Sequence, residues 1–345
     1  RRAIDGWQKF CGRWERQNPE TFEVEYCMDE YIKDVKEVPQ REAGDRLALV
    51  PVEKQHLASA GGQLNWAARQ ACYHLQAGIS RCQQLAGLDD PEALREMNAV
   101  IRRSREPMIV VVRKLRCTVE EMLVLAVSDA SYGGMPGGAS QGGLVIALAE
   151  PGILRGVSRL SMVDTSSSKI QRVVRASMGA ELSNAATAYE HGDYVRAVLA
   201  EMTNSEFKIK QWRKGASAWR QVLVIDAKCG YDSLNSDLMP SDRRTAIDVA
   251  VLRESLTAPD GNSFVRWVPG REMLCDGLTK INGNGVLEMV MRSGEWSLTD
   301  TAEAAELRRV AAERKVKYRQ GRRDAKIALH DASAPVNRAN DLNVV

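Results

Sequence analysis

Histidine is scarce in this chain. Four occur among 345 residues, too few for a histidine-built metal site. The seven cysteines (Cys11, Cys27, Cys72, Cys82, Cys117, Cys229 and Cys275) are scattered, odd in number and form no C-x-x-C pair. That pattern excludes a zinc ribbon and a disulfide framework, and it fits a reducing compartment. No uninterrupted apolar run approaches the ~20 residues that cross a bilayer, so no membrane-embedded role is expected. The chain opens on Arg1 rather than Met, and no short basic stretch leads into an apolar segment. It therefore reads as a piece of a longer, non-secreted protein. No internal repeat is evident. What remains is 44% hydrophobic and 27% charged, enough apolar material to exclude wholesale disorder. The length suggests about two domains.

The net charge of +3 says little by itself. Its distribution says more: residues 308–326 carry nine Lys and Arg against two acids, leaving the remainder net acidic. A basic terminal segment of this kind is a usual form of nucleic-acid-binding arm, and equally of a solvated helix.

The sequence divides into stretches of different texture. Residues 1–45 mix aromatic and charged side chains, with a short strand expected at Thr21–Glu25 and a helix at Asp29–Val38. Residues 46–117 read as helical, because Leu57, Leu64, Ala67, Ala68, Ala71, Leu75 and Ile79 recur at helical spacing. Gly87 and Asp89-Asp90-Pro91 then mark a turn into a helix near Glu92–Arg103. From residue 118 to 292 the pattern is α/β. Strands are expected at Met122–Val127, Leu144–Leu148, Ile153–Val163, Gln221–Ile225 and Ser263–Val268, with helices at Ser177–Met202 and Ser241–Leu256, the latter capped by Ser241 or Asp242. The order implies a mixed five-stranded sheet with an antiparallel start, parallel crossovers and flanking helices. Residues 293–345 read as a charged helix running out into a polar, disordered end.

Four carboxylates stand out. Asp129 ends the first buried run, Glu181 lies in the first turns of the long helix, Asp226 ends the QVLVI strand and Asp276 opens the last helix. Packing does not explain acids at the carboxyl ends of buried strands. On neighbouring strands they would emerge at one sheet edge, where open α/β sheets bind ligands. Clustered carboxylates repel one another and become favourable around divalent cations, and Mg²⁺ prefers oxygen ligands. Two such ions would stabilise both the attacking and the departing oxygen of a phosphodiester.

The flanks of these acids resemble the RNase H domain at the C-terminal end of copia-type long-terminal-repeat retrotransposon polyproteins. The resemblance is carried by Ser128-Asp129-Ala130, Ser167-Ser168-Lys169-Ile170-Gln171, Gly179-Ala180-Glu181, the strand ending at Asp226, Arg244-Thr245-Ala246-Ile247-Asp248, Val268-Pro269 and Cys275-Asp276-Gly277-Leu278-Thr279-Lys280. It covers about residues 118–292. Upstream, Phe10-Cys11-Gly12, Tyr31-Ile32-Lys33-Asp34-Val35 and Gly61–Arg69 are similar to the end of the polymerase palm and the thumb or connection of the same polyproteins. The Y-x-D-D polymerase motif is absent, the tryptophan usual before S-S-K is missing, and Ala246 stands where the family has histidine.

The resemblance implies an RNase H-like fold behind a smaller, mostly helical thumb/connection-like region. It implies an endonuclease that cuts the RNA strand of RNA–DNA hybrids, with two Mg²⁺, or Mn²⁺ in their place, held by Asp129, Glu181, Asp226 and Asp276 and with Asp129 shared. Expected partners are the hybrid and the remaining palm and fingers of the polyprotein, with no small-molecule cofactor, in a cytoplasmic particle or the nucleus. Candidate nucleic-acid contacts are Ser167, Ser168 and Lys169, together with Lys210, Arg213 and Lys214 around Trp212; each set also reads as an ordinary polar or solvated stretch. Two rivals stay open at this point: a decayed copy that only binds nucleic acid, and a strand transferase on the same fold. Asp248 and Asp232 read as surface acids or caps, and Asp164 as a loop residue.

Overall fold

The computed structural model describes residues 6–42, 44–259, 261–281, 283, 285–299, 309, 310 and 313. The chain divides into two units, Arg1–Thr301 and Ala302–Val345. The expected boundaries at 45, 117 and 292 all fall inside the first unit. Most of the basic segment 308–326 and the expected disordered end lie outside the described residues.

The first unit begins with a small antiparallel sheet. It is built from β1 (Gln8–Phe10), β2 (Arg13–Gln17), β3 (Val24–Cys27) and, later in the chain, β4 (Val110–Val112), paired in that order. The sequence leads one to expect only one of these strands, at Thr21–Glu25; β3 overlaps it, starting three residues later and ending two later. The Asn18 carbonyl accepts the Phe22 N–H, and its side chain accepts from Glu20 and Thr21, which holds residues 18–22 in a turn. The helix expected to Val38 is shorter: α1 spans Asp29–Lys33. Beyond it Asn98 takes both backbone groups of Val38, accepting its N–H and donating to its carbonyl, each at 2.8 Å, so they are not left to a helix.

Three helices follow: α2 (Pro51–Gln70), α3 (Gln76–Gly87) and α4 (Glu92–Ser104). The apolar spacing that reads as continuous from Leu57 to Ile79 is broken by a tight turn at Tyr73–Leu75. Inside it the Tyr73 hydroxyl meets that of Tyr26, on β3, at 2.8 Å.

The larger sheet contains β5 (Leu123–Met135), β6 (Ala139–Ala149), β7 (Ser158–Lys169), β8 (Arg220–Ile225), β9 (Ser263–Trp267) and β10 (Glu295–Trp296), in the order β10-β7-β6-β5-β8-β9. Pairings among β10, β7, β6 and β5 are antiparallel, and those of β8 with β5 and β9 are parallel. The fold is thus mixed α/β, with six strands in place of five. The added strand is two residues long, too short to leave a period in the sequence. The third strand is displaced: Pro151–Leu154 form a helical turn, and β7 runs on to Lys169, so Asp164 and the serine stretch 166–168 are strand and not loop.

Between the sheet strands lie α5 (Ser177–Thr203), α6 (Trp212–Ala216), α7 (Lys228–Leu234) and α8 (Arg243–Thr257); α9 (Asp276–Thr279) and α10 (Gly285–Ser293) follow β9. Asp242 caps α8 by accepting the Thr245 N–H. One sheet face packs Val124, Ala126, Leu144 and Ile146 against Leu182, Ala185, Ala188 and Tyr189 of α5. The other face meets α9 and α3. Adjacent glycines let both layers close onto the same point. A Cβ on Gly142 would collide with the Asn184 amide on α5, and one on Gly143 would sit 2.8 Å from Leu278 Cβ and Thr279 Cγ2. No helix among the described residues is long and apolar enough to cross a membrane.

Candidate metal centre

Gly143 is the register partner of Asp129, so the close approach described above occurs at the first acid. Asp129 lies inside β5 rather than at its end; the fully buried run Leu123–Ala130 ends just after it. Its side chain is 2% exposed. On the parallel neighbour, β8 stops at Ile225 and Asp226 follows at once. Glu181, early in α5, reaches over from the other layer, and its Oε2 accepts the Ala130 N–H at 3.0 Å. One carboxylate oxygen from each of Asp129, Glu181 and Asp226 falls within 4.8 Å of the others, an arrangement that can hold a metal ion.

Asp276 stands beside this triad rather than in it. It opens α9, and its Oδ1 accepts from Lys280 Nζ at 2.6 Å; the same ammonium lies 4.0 Å from Asp129 Oδ2. The charge of Asp276 also bears on Asp129 and Asp226, so all four expected acids share one neighbourhood.

The electrostatics are those of carboxylates held together out of water. Burial, with Asp129 and Asp226 nearby, pushes Glu181 up to about 9. Burial and the Asp129 charge raise Asp226 to about 6. Burial raises Asp129 as well, opposed by the Thr279 hydroxyl and Lys280. Burial works against the charge on Lys280, but its bond to Asp276 and the neighbouring Asp129 hold its pKa above the usual lysine value. Such a cluster is unfavourable until positive charge enters it.

Three further residues fix the geometry. Asn184 Nδ2 donates to the Asp129 carbonyl at 3.0 Å, the Gly143 carbonyl at 2.8 Å and Ser128 Oγ at 2.7 Å. Thr279 Oγ1 donates to Asp129 Oδ2. Lys280 supplies the positive charge. In the sequence Thr279 and Lys280 stand out only as part of the last motif, and Asn184 belongs to none. The one available signal for Asn184 was an amide among Leu182, Ala185 and Ala188 on the buried side of a helix.

The expected nucleic-acid contacts separate. Ser167 is register partner to Gly143 and so lies two strands from Asp129 in the same row. Its hydroxyl donates to the Leu278 carbonyl and accepts from Gln141 Nε2 at 2.9 Å, and Gln141 Oε1 accepts from Gln84 Nε2 on α3 at 2.9 Å. Ser167 thus carries structure. Ser168 and Lys169, next on β7, are exposed. Lys210 lies in the turn Ile209–Gln211, and Arg213 and Lys214 lie in α6, ahead of the start of β8. Asp226 follows the end of that strand, whose six residues span ~20 Å, so the basic group and the acids lie toward opposite ends of β8. There Arg213 stacks on Trp212, and both line a cavity of about 270 Å³ with Tyr189 and Asp193.

Neighbouring candidates take structural parts. The thiol of Cys275 is buried and donates to the Val127 carbonyl at 3.3 Å, and burial raises its pKa far above the usual thiol value. Asp248 is a buried partner of Arg172, not a surface acid. Asp164 meets His191 Nδ1 at 3.0 Å. No family model matches this chain, and neither a curated protein nor a solved structure matches it.

Proposed function

We propose that this chain is an RNase H-type endoribonuclease that cuts the RNA strand of RNA–DNA hybrids as part of a copia-type retrotransposon reverse transcriptase. The observation that carries the reading is the convergence of Asp129, Glu181 and Asp226 within 4.8 Å, with Asp276 alongside. These residues are far apart in sequence, and they are the four acids that the motif resemblance singles out.

The donor set fits Mg²⁺: every group offered is a carboxylate oxygen, and the buried Asp129 and half-buried Glu181 and Asp226 crowd like charges that a hard divalent cation would neutralise. When bound, two such ions would supply Lewis-acid stabilisation of the attacking and departing oxygens of the scissile phosphodiester. Asp129, Glu181 and Asp226 would hold one, and Asp129 with Asp276 the other; Mn²⁺ has the same oxygen preference. Thr279 and Asn184 hold the side chain and main chain of Asp129 in place. The exposed Ser168 and Lys169 can contact the sugar–phosphate backbone, where 2′-hydroxyls distinguish RNA from DNA. The helical region 46–117 would support the hybrid as a thumb and connection do.

The direct test is cleavage of an end-labelled RNA–DNA hybrid with Mg²⁺ by wild type and Asp226→Asn. The wild type should cut only the RNA strand, and the variant should lose at least a hundredfold in rate, as losses of charge-stabilising groups commonly do. A purified wild type that leaves the hybrid intact, or a variant that cuts as fast, rejects the reading.

A further inference from the structure

The acid centre already contains a cation. Lys280 Nζ lies 2.6 Å from Asp276 Oδ1 and 4.0 Å from Asp129 Oδ2. Among the described residues, no other Lys, Arg or His stands within 4.0 Å of any of the four acids. The base of this side chain is fixed, because the Lys280 N–H donates to the Asp276 carbonyl at 2.9 Å. Its end is held by Asp276 but stands open to solvent: the side chain is 50% exposed and faces a 2% exposed Asp129. A compact ammonium on a four-carbon stem can leave for solvent with little rearrangement, which a fork-shaped guanidinium held by several bonds does less readily. Within the triad of Asp129, Glu181 and Asp226 the ammonium comes within 4.0 Å of Asp129 alone, although its charge is also felt by Glu181 and Asp226.

We propose that the Lys280 ammonium occupies the second cation position, between Asp129 and Asp276. The centre then fills in order: the first divalent ion enters among Asp129, Glu181 and Asp226, and the second enters only by displacing Lys280. The inference rests on the metal-site reading above and concerns how that site loads. Lys280 is a positioning residue here. It neutralises the empty half of the site and sets the threshold concentration at which the second ion binds.

The test is Mn²⁺ binding to the whole chain, followed by the loss of the free-ion EPR signal, for wild type, Lys280→Gln, Lys280→Met and Lys280→Arg. Wild type takes one tight and one weak equivalent. Lys280→Gln and Lys280→Met tighten the weak class by about tenfold, the order expected when one positive charge near 4 Å is removed from a partly solvated site. They also lower the melting temperature of the metal-free protein. Lys280→Arg keeps the charge on a group that leaves less readily, so its weak class is weaker than in wild type. Two equal equivalents in wild type, or a weak class unchanged in both neutral variants, overturns the role of Lys280 and leaves the metal centre standing. No Mn²⁺ bound by wild type or any variant overturns the metal centre itself, and the loading order with it.

Discussion

The Thr279 hydroxyl donates to Oδ2 of Asp129, joining residues 150 apart in the chain. That bond ties the end of the last motif to the most buried acid of the centre. Partners that orient metal ligands in this way typically contribute ~10–100-fold to metal affinity. Thr279→Val should therefore weaken Mn²⁺ binding by about that factor, while Thr279→Ser, which keeps the hydroxyl, should bind as wild type does. Calorimetric titration distinguishes the two; equal affinity in Val and wild type would show the bond to be incidental.

Asn184 is the equivalent clamp for the main chain. Replacing it with Leu leaves the carbonyls of Asp129 and Gly143 without their side-chain donor in a buried place, a loss of ~1–3 kcal/mol. Denaturant unfolding should report a lower midpoint with an unchanged slope. A variant as stable as wild type would contradict the assignment.

Two glycines should respond in opposite senses. Gly143→Ala places a methyl 2.8 Å from Leu278 and Thr279, so α9 must move; overpacking of this kind costs ~1–3 kcal/mol. Gly62→Ala lies on the exposed side of α2 with nothing within 4 Å and should stabilise by ~0.5–1 kcal/mol through helix propensity. Melting temperatures of the two variants should fall on either side of wild type.

The raised acids give the metal-free protein a definite pH response. Glu181 goes from an ordinary 4.5 to about 9 in the fold, and Asp226 from 3.8 to about 6. A group raised on folding stabilises fully below its ordinary value and loses that contribution as pH climbs toward the folded value. Metal-free wild type should thus melt lower at about pH 8 than at about pH 5. Glu181→Gln should flatten this slope. Millimolar Mg²⁺ should reverse it, because bound cations favour the deprotonated acids. Thermal melts at both pH values, with and without Mg²⁺, check all three statements; a slope the same in Glu181→Gln as in wild type would show that Glu181 is not its source.

Much of the centre was legible because its acids interrupt or end apolar runs, a disagreement between residue type and surroundings that shows in one dimension. Asp129 follows Leu123–Val127, and Asp226 follows QVLVI. The positioning residues were not legible, since Asn184 and Thr279 act through partners from other parts of the chain. The small sheet escaped for another reason. Its strands are three to five residues long and held in part by charged pairs such as Arg16 with Glu25, so no alternation of apolar and polar residues announces them. β7 is misplaced in the sequence because its serine-rich end looks like a loop, while in the fold Ser166 and Ser167 are half-buried in the strand and Ser168 and Lys169 are exposed.

Gln141 is wholly buried, and its amide is shared between Ser80 and Ser167, with Gln84 donating to its oxygen. The α3 helix is therefore a wall bonded to β6 through Ser80 and Gln84, not an appendage hung on the sheet. Trimming the protein to its motif-bearing portion from residue 118 onward would strip that wall away. The side-chain amide of Gln141 would lose its bonds to Ser80 and Gln84, and the hairpin bearing Asp129 would lose the helix bonded to its second strand.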